Sequence, residues 1–153
     1  MENIRENLIK VYQQTNQFGH LIGIDLIKFE ADEIRYKLII EGKHLATPTT
    51  AHGGVLSAYM DGILGLAALY VSSERGNLVS TVEFKINYLK PARKGDVLIG
   101  IGKVISNGKR IIIAQGEIID EATGDKVAIA TGTFNAYPYQ KSGMNMSDLN
   151  MIS

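Results

Sequence analysis

The chain has 153 residues, of which 45% are hydrophobic and 21% charged, a composition typical of one globular domain. Lysine plus arginine and aspartate plus glutamate each total 16, so the formal net charge is zero. We therefore expect neither nucleic acid nor a membrane as a partner. The lack of cysteine excludes disulfides and a cysteine nucleophile, and with three histidines no metal site is expected.

The N-terminal segment, MENIRENLIKVYQQ, mixes charged and apolar residues from its first position. It has no apolar run followed by a small-residue cleavage site, so a cytoplasmic location is expected. Apolar residues recur at helical spacing, which predicts a short amphipathic helix over residues 3 to about 17, stopped by Gly19. The residues with this spacing are Ile4, Leu8, Val11 and Tyr12.

Two runs rich in β-branched residues follow, IGIDLIKFE at 22–30 and EIRYKLII at 33–40. They predict two antiparallel strands joined by a tight turn at Ala31-Asp32. The polar segment 41–51 that follows predicts a loop.

Residues 53–73, GGVLSAYMDGILGLAALYVSS, are apolar on every side of a helical projection and contain one charged residue, Asp61. A helix with this pattern is buried all round. A membrane-spanning helix is the alternative, but a carboxylate near the middle and several glycines favour the core of a soluble domain.

Four strand segments follow the long helix. TVEFKINYLK predicts a strand with Val82, Phe84, Ile86 and Tyr88 on one face. VLIGIGKVIS and KRIIIAQGEIID flank Asn107-Gly108, a dipeptide that favours a tight hairpin. KVAIATGTFNAY follows a further turn, and the tail from about residue 140 to 153 is predicted to fray.

This order of elements predicts one α+β domain over residues 1–153, with its core at about 18–138. A curved antiparallel sheet of about six strands would wrap the long helix. One sheet covers only part of a helix, so a second subunit is expected to cover the remaining face. Four strand glycines are expected to relieve the bending of the sheet: Gly100, Gly102, Gly116 and Gly132.

Asp61 requires an explanation, because an isolated carboxylate in an apolar helix is costly to ionise. A structural explanation is that it caps a loop or pairs with a basic residue across a subunit interface. A functional explanation, which we favour, is that it acts as a base or nucleophile in a cleft.

His52, Gly53 and Gly54 stand where the long helix begins. Paired glycines let a substrate approach free backbone N–H groups at the positive end of the helix dipole. These groups would form an oxyanion hole for a carbonyl. The alternative is that the glycines only permit tight packing.

Gly53 and Asp61 are eight residues apart, or roughly 12 Å along a helix. Both therefore cannot reach one carbonyl carbon from the same chain. If two such helices lie antiparallel across a dimer, Asp61 of one protomer can face the helix start of the other. Two composite sites related by two-fold symmetry would result.

The segments AHGGVLSAYMDGILGLAA and STVEFKINYLKPARKGD resemble thioesterases of the hot-dog superfamily, in particular the bacterial phenylacetic-acid-degradation type. The resemblance runs from Phe18 to Tyr137. It joins a His-Gly-Gly at a helix start, an aspartate seven residues after the second glycine and a Tyr-x-x-Pro strand end. It implies a hot-dog fold and an acyl-CoA thioesterase that uses no cofactor, since CoA is part of the substrate. It also implies a homo-oligomer, a dimer at least and commonly a tetramer.

The resemblance implies roles for several residues. The Gly53 N–H would bind the thioester carbonyl, His52 would help to orient it, and Asp61 of the other subunit would activate water or attack directly. Thr81 would position the attacking water, although an ordinary strand threonine is an equal alternative. Ala46 departs from the family pattern, which often has asparagine there, and this departure bears on water positioning.

Four residues are candidates for substrate binding: Gly54, Lys90, Pro91 and Arg93. Gly54 adds to the N–H groups at the helix start. The resemblance implies that the other three border the pantetheine channel and that the basic ones meet the nucleotide phosphates, with a solvated turn as the alternative. His20 and His44 are expected to have surface or loop roles only.

The resemblance thus favours hydrolysis of acyl-CoA thioesters, with aryl-acetyl, benzoyl-type and medium-chain acyl groups all open. Two other functions stay open as well. One is a hot-dog hydratase or dehydratase, and the other is a non-catalytic dimer that binds acyl-CoA.

Overall fold

A computed structural model describes residues 3–31, 33–145 and 147. The helices are α1 (Ile4–Thr15), α2 (Gln17–Ile22) and α3 (Gly53–Ser73), with short 3-10 turns at Gly42–His44 and Tyr139–Ser142. The strands are β1 (Asp25–Phe29), β2 (Ile34–Ile39), β3 (Asn77–Tyr88), β4 (Val97–Asn107), β5 (Ile111–Asp120) and β6 (Lys126–Pro138).

The six strands form one antiparallel sheet in the order β1-β2-β4-β5-β6-β3. This confirms the predicted single sheet, the pairing of the first two strands and the Asn107-Gly108 hairpin, in which the Gly108 N–H donates to the Ile111 carbonyl at 3.0 Å. One residue of the predicted first turn, position 32, lies outside the described residues. Helix, strands and order together are those of the predicted α+β hot-dog fold.

Helix α3 lies against the sheet and begins and ends where the apolar run predicts. It is long and apolar enough to cross a membrane, but half of its most apolar stretch is buried inside the protein. Tyr59, fully buried on α3, donates its hydroxyl to the carbonyls of Tyr36 on β2 at 2.7 Å and Leu98 on β4 at 3.1 Å. The core helix is therefore anchored to the sheet by a hydrogen bond as well as by packing.

Glycines on the sheet allow this close approach. A Cβ on Gly102 would lie 2.8 Å from the carbonyl oxygen of Ile63 on α3, and a Cβ on Gly100 would overlap the Ile63 side chain. Gly116 and Gly132 have neighbours as near as 3.0 and 2.8 Å to the same hypothetical atom. The surroundings of these residues show that they make room for the helix and its neighbours; relief of bending of the sheet stays a prediction.

The N-terminal helix is divided in two. The backbone N–H of Asn16 donates to the Tyr12 carbonyl at 2.9 Å and ends α1, while the Asn16 side chain accepts from the Gly19 N–H at 3.1 Å and caps α2. Gly19 was predicted to stop the helix, and this was wrong, because the asparagine side chain starts a second helix there. Gly23, with a φ of +83°, ends α2 in the left-handed conformation that favours glycine.

Arg5 holds α1 against the end of α3. Its Nε donates to the Tyr70 carbonyl at 2.9 Å, and its guanidinium lies 4.1 Å from the centre of the Tyr70 ring. An ion pair with Glu74 at 3.1 Å adds to this contact. The start of α1 is thus held against the C-terminal end of α3.

Strand β3 contains a β-bulge. Thr81 and Glu83 face successive residues of β6, so Val82 is an extra residue between them, and it is 58% exposed. Phe84 and Ile86, beyond the bulge, pack against the core. The prediction that Val82 shares their face was wrong, because a bulge places two residues opposite one and breaks the alternation of the strand.

The C-terminal segment forms a 3-10 turn at Tyr139–Ser142, and Met144 packs against the core. Positions 146 and 148–153 lie outside the described residues. Half of the tail that was predicted to fray therefore falls there.

Candidate active site

Asp61 lies on α3 with its carboxylate beside β3. The Thr81 hydroxyl donates to Asp61 Oδ1 at 2.7 Å. The bulge at Val82 makes this contact possible, because it brings Thr81 onto the same side of the strand as Phe84. The two residues that the sequence analysis proposed as base and water-positioning group are thus brought together.

Asp61 and Thr81 line a cavity of about 340 Å³ between α1, α3, β3 and β6. Its other walls are mainly apolar and include Leu69, Leu78 and Phe134. Asp61 is half-buried, and among the described residues no basic side chain forms an ion pair with it. A carboxylate that lines a cavity and has one oxygen held by a hydroxyl can accept a proton from a bound molecule.

Tyr12 of α1 also lines this cavity, and the sequence analysis assigned it only to a helix face. Burial, and to a lesser degree the negative charge of Asp61, raise the pKa of the Tyr12 phenol. Helical spacing carries no signal for this role, because it depends on how α1 crosses α3. The carboxylate therefore shares its cavity with a neutral phenol.

At the other end of the site, His52 is the N-cap of α3. Its Nδ1 accepts from the Gly54 N–H at 2.7 Å, which leaves the proton of a neutral ring on Nε2. The His52 N–H donates to the His44 carbonyl at 2.8 Å. A Cβ on Gly54 would lie 2.8 Å from His52 Nδ1, so glycine at this position is what allows the cap. The Gly54 N–H is consequently used within the protein.

The N–H of Gly53, the first residue of α3, differs from that of Gly54. It donates to no acceptor among the described residues, and the residue is exposed. A Cβ on Gly53 would lie 3.6 Å from Tyr88 Cζ, which is ordinary contact, so the packing of one protomer does not by itself require glycine. The open side of Gly53 leaves its N–H accessible to a carbonyl oxygen.

One predicted catalytic residue and two predicted binding residues lie together. Gly53, Lys90 and Pro91 line a second cavity of about 350 Å³, next to Tyr88 and Leu89. This cavity and the Asp61 cavity have no lining residue in common. The separation agrees with the roughly 12 Å expected between Gly53 and Asp61 along the helix.

The two predicted basic residues differ in their surroundings. Lys90 Nζ lies 3.0 Å from the Asp125 carboxylate and 3.4 Å from that of Asp120, and the contact with Asp125 contributes most to raising the pKa of Lys90. Arg93 is exposed, and its guanidinium forms no ion pair among the described residues. Of the two cations, Arg93 is therefore the better placed to meet an external anion.

The remaining histidines have structural surroundings. His44 lies in a turn of the predicted loop, as expected, but it is buried and not at the surface: it accepts from the Glu41 N–H at 2.9 Å and contacts the Ile22 carbonyl at 2.8 Å. His20 Nε2 lies 2.6 Å from the Gln13 carbonyl. Among the residues that the structure describes, no cluster of three or more His, Cys, Asp or Glu side chains could hold a metal.

The loop around Ala46 is held by threonines. The Ala46 N–H donates to the Thr50 carbonyl at 3.0 Å, and Thr47 Oγ1 accepts from the Thr50 N–H at 2.9 Å. Thr47 and Thr50 also join their hydroxyls in a hydrogen bond. These hydroxyls therefore take part in the structure of the loop itself.

Comparison with known proteins agrees with this fold. Acyl-coenzyme A thioesterase 13 of Homo sapiens is 27% identical over 128 residues, covering 83% of this chain and 89% of that protein. The E. coli PaaI protein from the phenylacetic acid degradation operon superposes with a TM-score of 0.76 at 21% identity, covering 88% of this chain and 94% of that one. A Streptococcus mutans UA159 protein, solved bound to acetyl CoA, is 28% identical with a TM-score of 0.67, covering 75% and 89%.

A family model described as the thioesterase superfamily matches residues 49–126, just over half of the chain. The matched segment contains the helix start, Asp61, Thr81 and the strand end at Tyr88 to Pro91. The predicted family resemblance is thereby confirmed, and the chain belongs to the thioesterase superfamily.

Proposed function

We propose that the protein hydrolyses acyl-CoA thioesters at composite sites between two protomers. The observation that carries the proposal is that the base and the oxyanion donor of one protomer lie in separate cavities. The Asp61–Thr81 pair lines one cavity and the accessible Gly53 N–H lines another. Neither cavity alone holds both a base and an oxyanion donor, whereas two protomers with antiparallel α3 helices supply both groups twice.

The reaction begins with the thioester carbonyl at the start of α3 of one protomer. The Gly53 N–H and the positive end of the helix dipole stabilise the negative charge that develops on the carbonyl oxygen. Asp61 of the partner protomer takes a proton from water, the water oxygen attacks the carbonyl carbon, and the C–S bond breaks to release the CoA thiolate. Direct attack by Asp61, through an anhydride that water then cleaves, is the other possible route.

Thr81 orients the base. Its hydroxyl donates to Oδ1, which leaves Oδ2 as the oxygen that accepts the proton of water. His52 holds the first turn of α3 through Gly54 and thereby keeps the neighbouring Gly53 N–H in place.

Exposed groups on β3 support the dimer. β3 is an edge strand of 12 residues, and long unprotected edges of this kind pair with other chains. Val82, Tyr88 and Leu89 are 58%, 49% and 52% exposed on or next to this edge. Because the edge runs past both half-sites, we infer that it contacts the partner protomer; a tetramer would form from two such dimers.

The substrate class rests on the chemistry of the two cavities. The mainly apolar Asp61 cavity suits an aryl or medium-chain acyl group, since ligand pockets of about 300 Å³ and above are lined in this way. The exposed guanidinium of Arg93 suits the phosphates of CoA. The similarity to an acyl-coenzyme A thioesterase and to a protein bound to acetyl CoA supports the same class.

The first test measures release of free CoA thiol from a panel of aryl- and alkyl-acyl-CoAs. Wild type should turn over at least one acyl class, and Asp61→Asn should lower kcat about 10²–10⁴-fold. Asp25→Asn, which changes an exposed aspartate on β1, is the matched control and should leave turnover unaltered. Near-normal activity of Asp61→Asn would remove the base assignment, and binding without turnover by wild type would favour the non-catalytic alternative.

A second test addresses the composite site. His52 has an extended backbone with ψ of 136°, and Gly53 is the first helical residue, so the backbone accepts proline at position 53, which removes the N–H. Gly53→Pro should lower kcat about 10²–10³-fold at unchanged stability.

Mixing the Gly53→Pro and Asp61→Asn proteins then tests whether each active site uses residues from two protomers. A hybrid dimer keeps one intact site of two, so an equal, fully exchanged mixture should recover about a quarter of wild-type activity per protomer. If each protomer carries its own complete site, the mixture should stay as inactive as its components.

A further inference from the structure

One peptide unit at the start of α3 is held from both ends. The Gly54 N–H donates to His52 Nδ1 at 2.7 Å, and the Gly53 carbonyl on the same peptide accepts from the Tyr88 hydroxyl at 3.0 Å. The first contact is a local helix cap, whereas the second comes from the last residue of β3, 35 positions later in the chain. A strand residue therefore orients the peptide next to the accessible Gly53 N–H.

The Tyr88 hydroxyl is itself held in a fixed direction. It forms a hydrogen bond with Ser57 Oγ. A phenol has one proton, and because a carbonyl cannot donate, that proton goes to Gly53 and Ser57 must be the donor to Tyr88. Ser57 follows Gly53 by four residues, so the helix places both on the same face toward Tyr88.

The Tyr88 ring also contacts Gly53. A Cβ on Gly53 would lie 3.6 to 3.8 Å from Tyr88 ring and hydroxyl atoms, so the phenol lies directly beside the Gly53 Cα. Tyr88 is 49% exposed within the protomer and lines the same cavity as Gly53 and Pro91. Its hydroxyl is therefore close to any carbonyl bound at the helix start without being needed to fill the core.

We propose that Tyr88 is a positioning residue for hydrolysis: by bonding the Gly53 carbonyl it fixes the direction of the neighbouring Gly53 N–H toward the reacting oxygen. This inference rests on the proposed thioesterase function. An oxyanion donor stabilises the transition state only when it is aimed at the place where charge develops, so a loss of aim lowers kcat more than it weakens substrate binding.

The test is Tyr88→Phe, which removes the hydroxyl and keeps the ring. We expect kcat to fall about tenfold and KM to stay within about twofold of wild type, since one neutral hydrogen bond is lost and the substrate cavity keeps its shape. Binding of a non-hydrolysable S-alkyl-CoA thioether, which has no carbonyl, should be unchanged. A role in shaping the cavity would weaken thioether binding together with turnover and would overturn the proposal.

Tyr139→Phe is the matched control, because the Tyr139 hydroxyl has no hydrogen-bond partner among the described residues and lies outside both cavities. It should turn over substrate like wild type. If Tyr88→Phe does not reach the wild-type oligomeric mass, Ser57→Ala replaces it as the test. A loss of about two- to threefold in kcat would support the chain of hydrogen bonds from Ser57 through Tyr88 to Gly53, and an unchanged kcat would overturn the proposal. Absence of turnover by wild type would refute the proposed function as well, whereas wild-type turnover matched by Tyr88→Phe would refute this inference alone.

Discussion

Substituting one glycine by alanine on the sheet should be costly, because the backbone of α3 lies directly over it. In Gly102→Ala the new Cβ would be 2.8 Å from the Ile63 carbonyl oxygen and 2.9 Å from Ile63 Cγ2. A backbone oxygen cannot rotate away like a side chain, so α3 or β4 must shift. Overpacking of this kind destabilises a protein by about 1–3 kcal/mol, whereas replacing a strand glycine by alanine stabilises it by only about 0.5–1 kcal/mol.

We therefore expect Gly102→Ala to lower the free energy of unfolding by about 1–2 kcal/mol and Tm by roughly 2–8 °C. Gly62→Ala on α3 is the matched control, since its Cβ would meet nothing nearer than 3.8 Å and alanine favours a helix by about 1 kcal/mol. Urea and thermal unfolding at one protein concentration measure both variants. The free energy of unfolding should fall in Gly102→Ala and rise in Gly62→Ala. An unchanged or higher free energy of unfolding in Gly102→Ala would refute the reasoning that the helix rests on this glycine.

Two further predictions concern charge and capping. The Lys90 hydrogen bond lowers the pKa of Asp125, so its stabilisation is present above the unfolded value of about 3.9 and is lost as pH falls through the lower folded value. Wild type should therefore resist urea better than Asp125→Asn at pH 7, with the difference vanishing in acid; a difference that persists at pH 2 would contradict this. His52→Ala should lower the free energy of unfolding by about 1 kcal/mol, and His52→Asn, which can still cap α3, should not; equal unfolding midpoints for the two variants would argue against the cap.

The elements that sequence patterns predicted well are those set by local signals. α3 begins and ends as predicted because a long, mainly apolar run follows His52-Gly53-Gly54, and β4 and β5 pair as predicted because Asn107-Gly108 favours a tight turn. A hydroxyl at Thr81 near the attacking water was expected from family resemblance alone, and its hydrogen bond to Asp61 is seen only in the structure.

The features that sequence patterns missed depend on distant contacts. The sequence around Val82 alternates regularly between apolar and polar residues and so gives no sign of a bulge. Only the register against β6 reveals the extra residue. The contacts of Lys90 with two aspartates 30 and 35 positions later in the chain were not foreseen either, and its place near the nucleotide phosphates stays a prediction. Tyr12 reaches the Asp61 cavity because Arg5 fixes α1 on α3, and no local pattern reports a crossing of that kind.

Two side-chain contacts join helix α3 to strand β3. Tyr88 bonds the Gly53 carbonyl at the start of the helix, and Thr81 bonds Asp61 eight residues further along it. The spacing between the two half-sites is therefore set by backbone rise, about 1.5 Å per helical residue, and side-chain substitutions leave it unaltered. Substitutions in the cavity walls can consequently change the acyl preference while the distance between the two half-sites stays constant. Only an insertion or deletion between the two contacts would alter that distance.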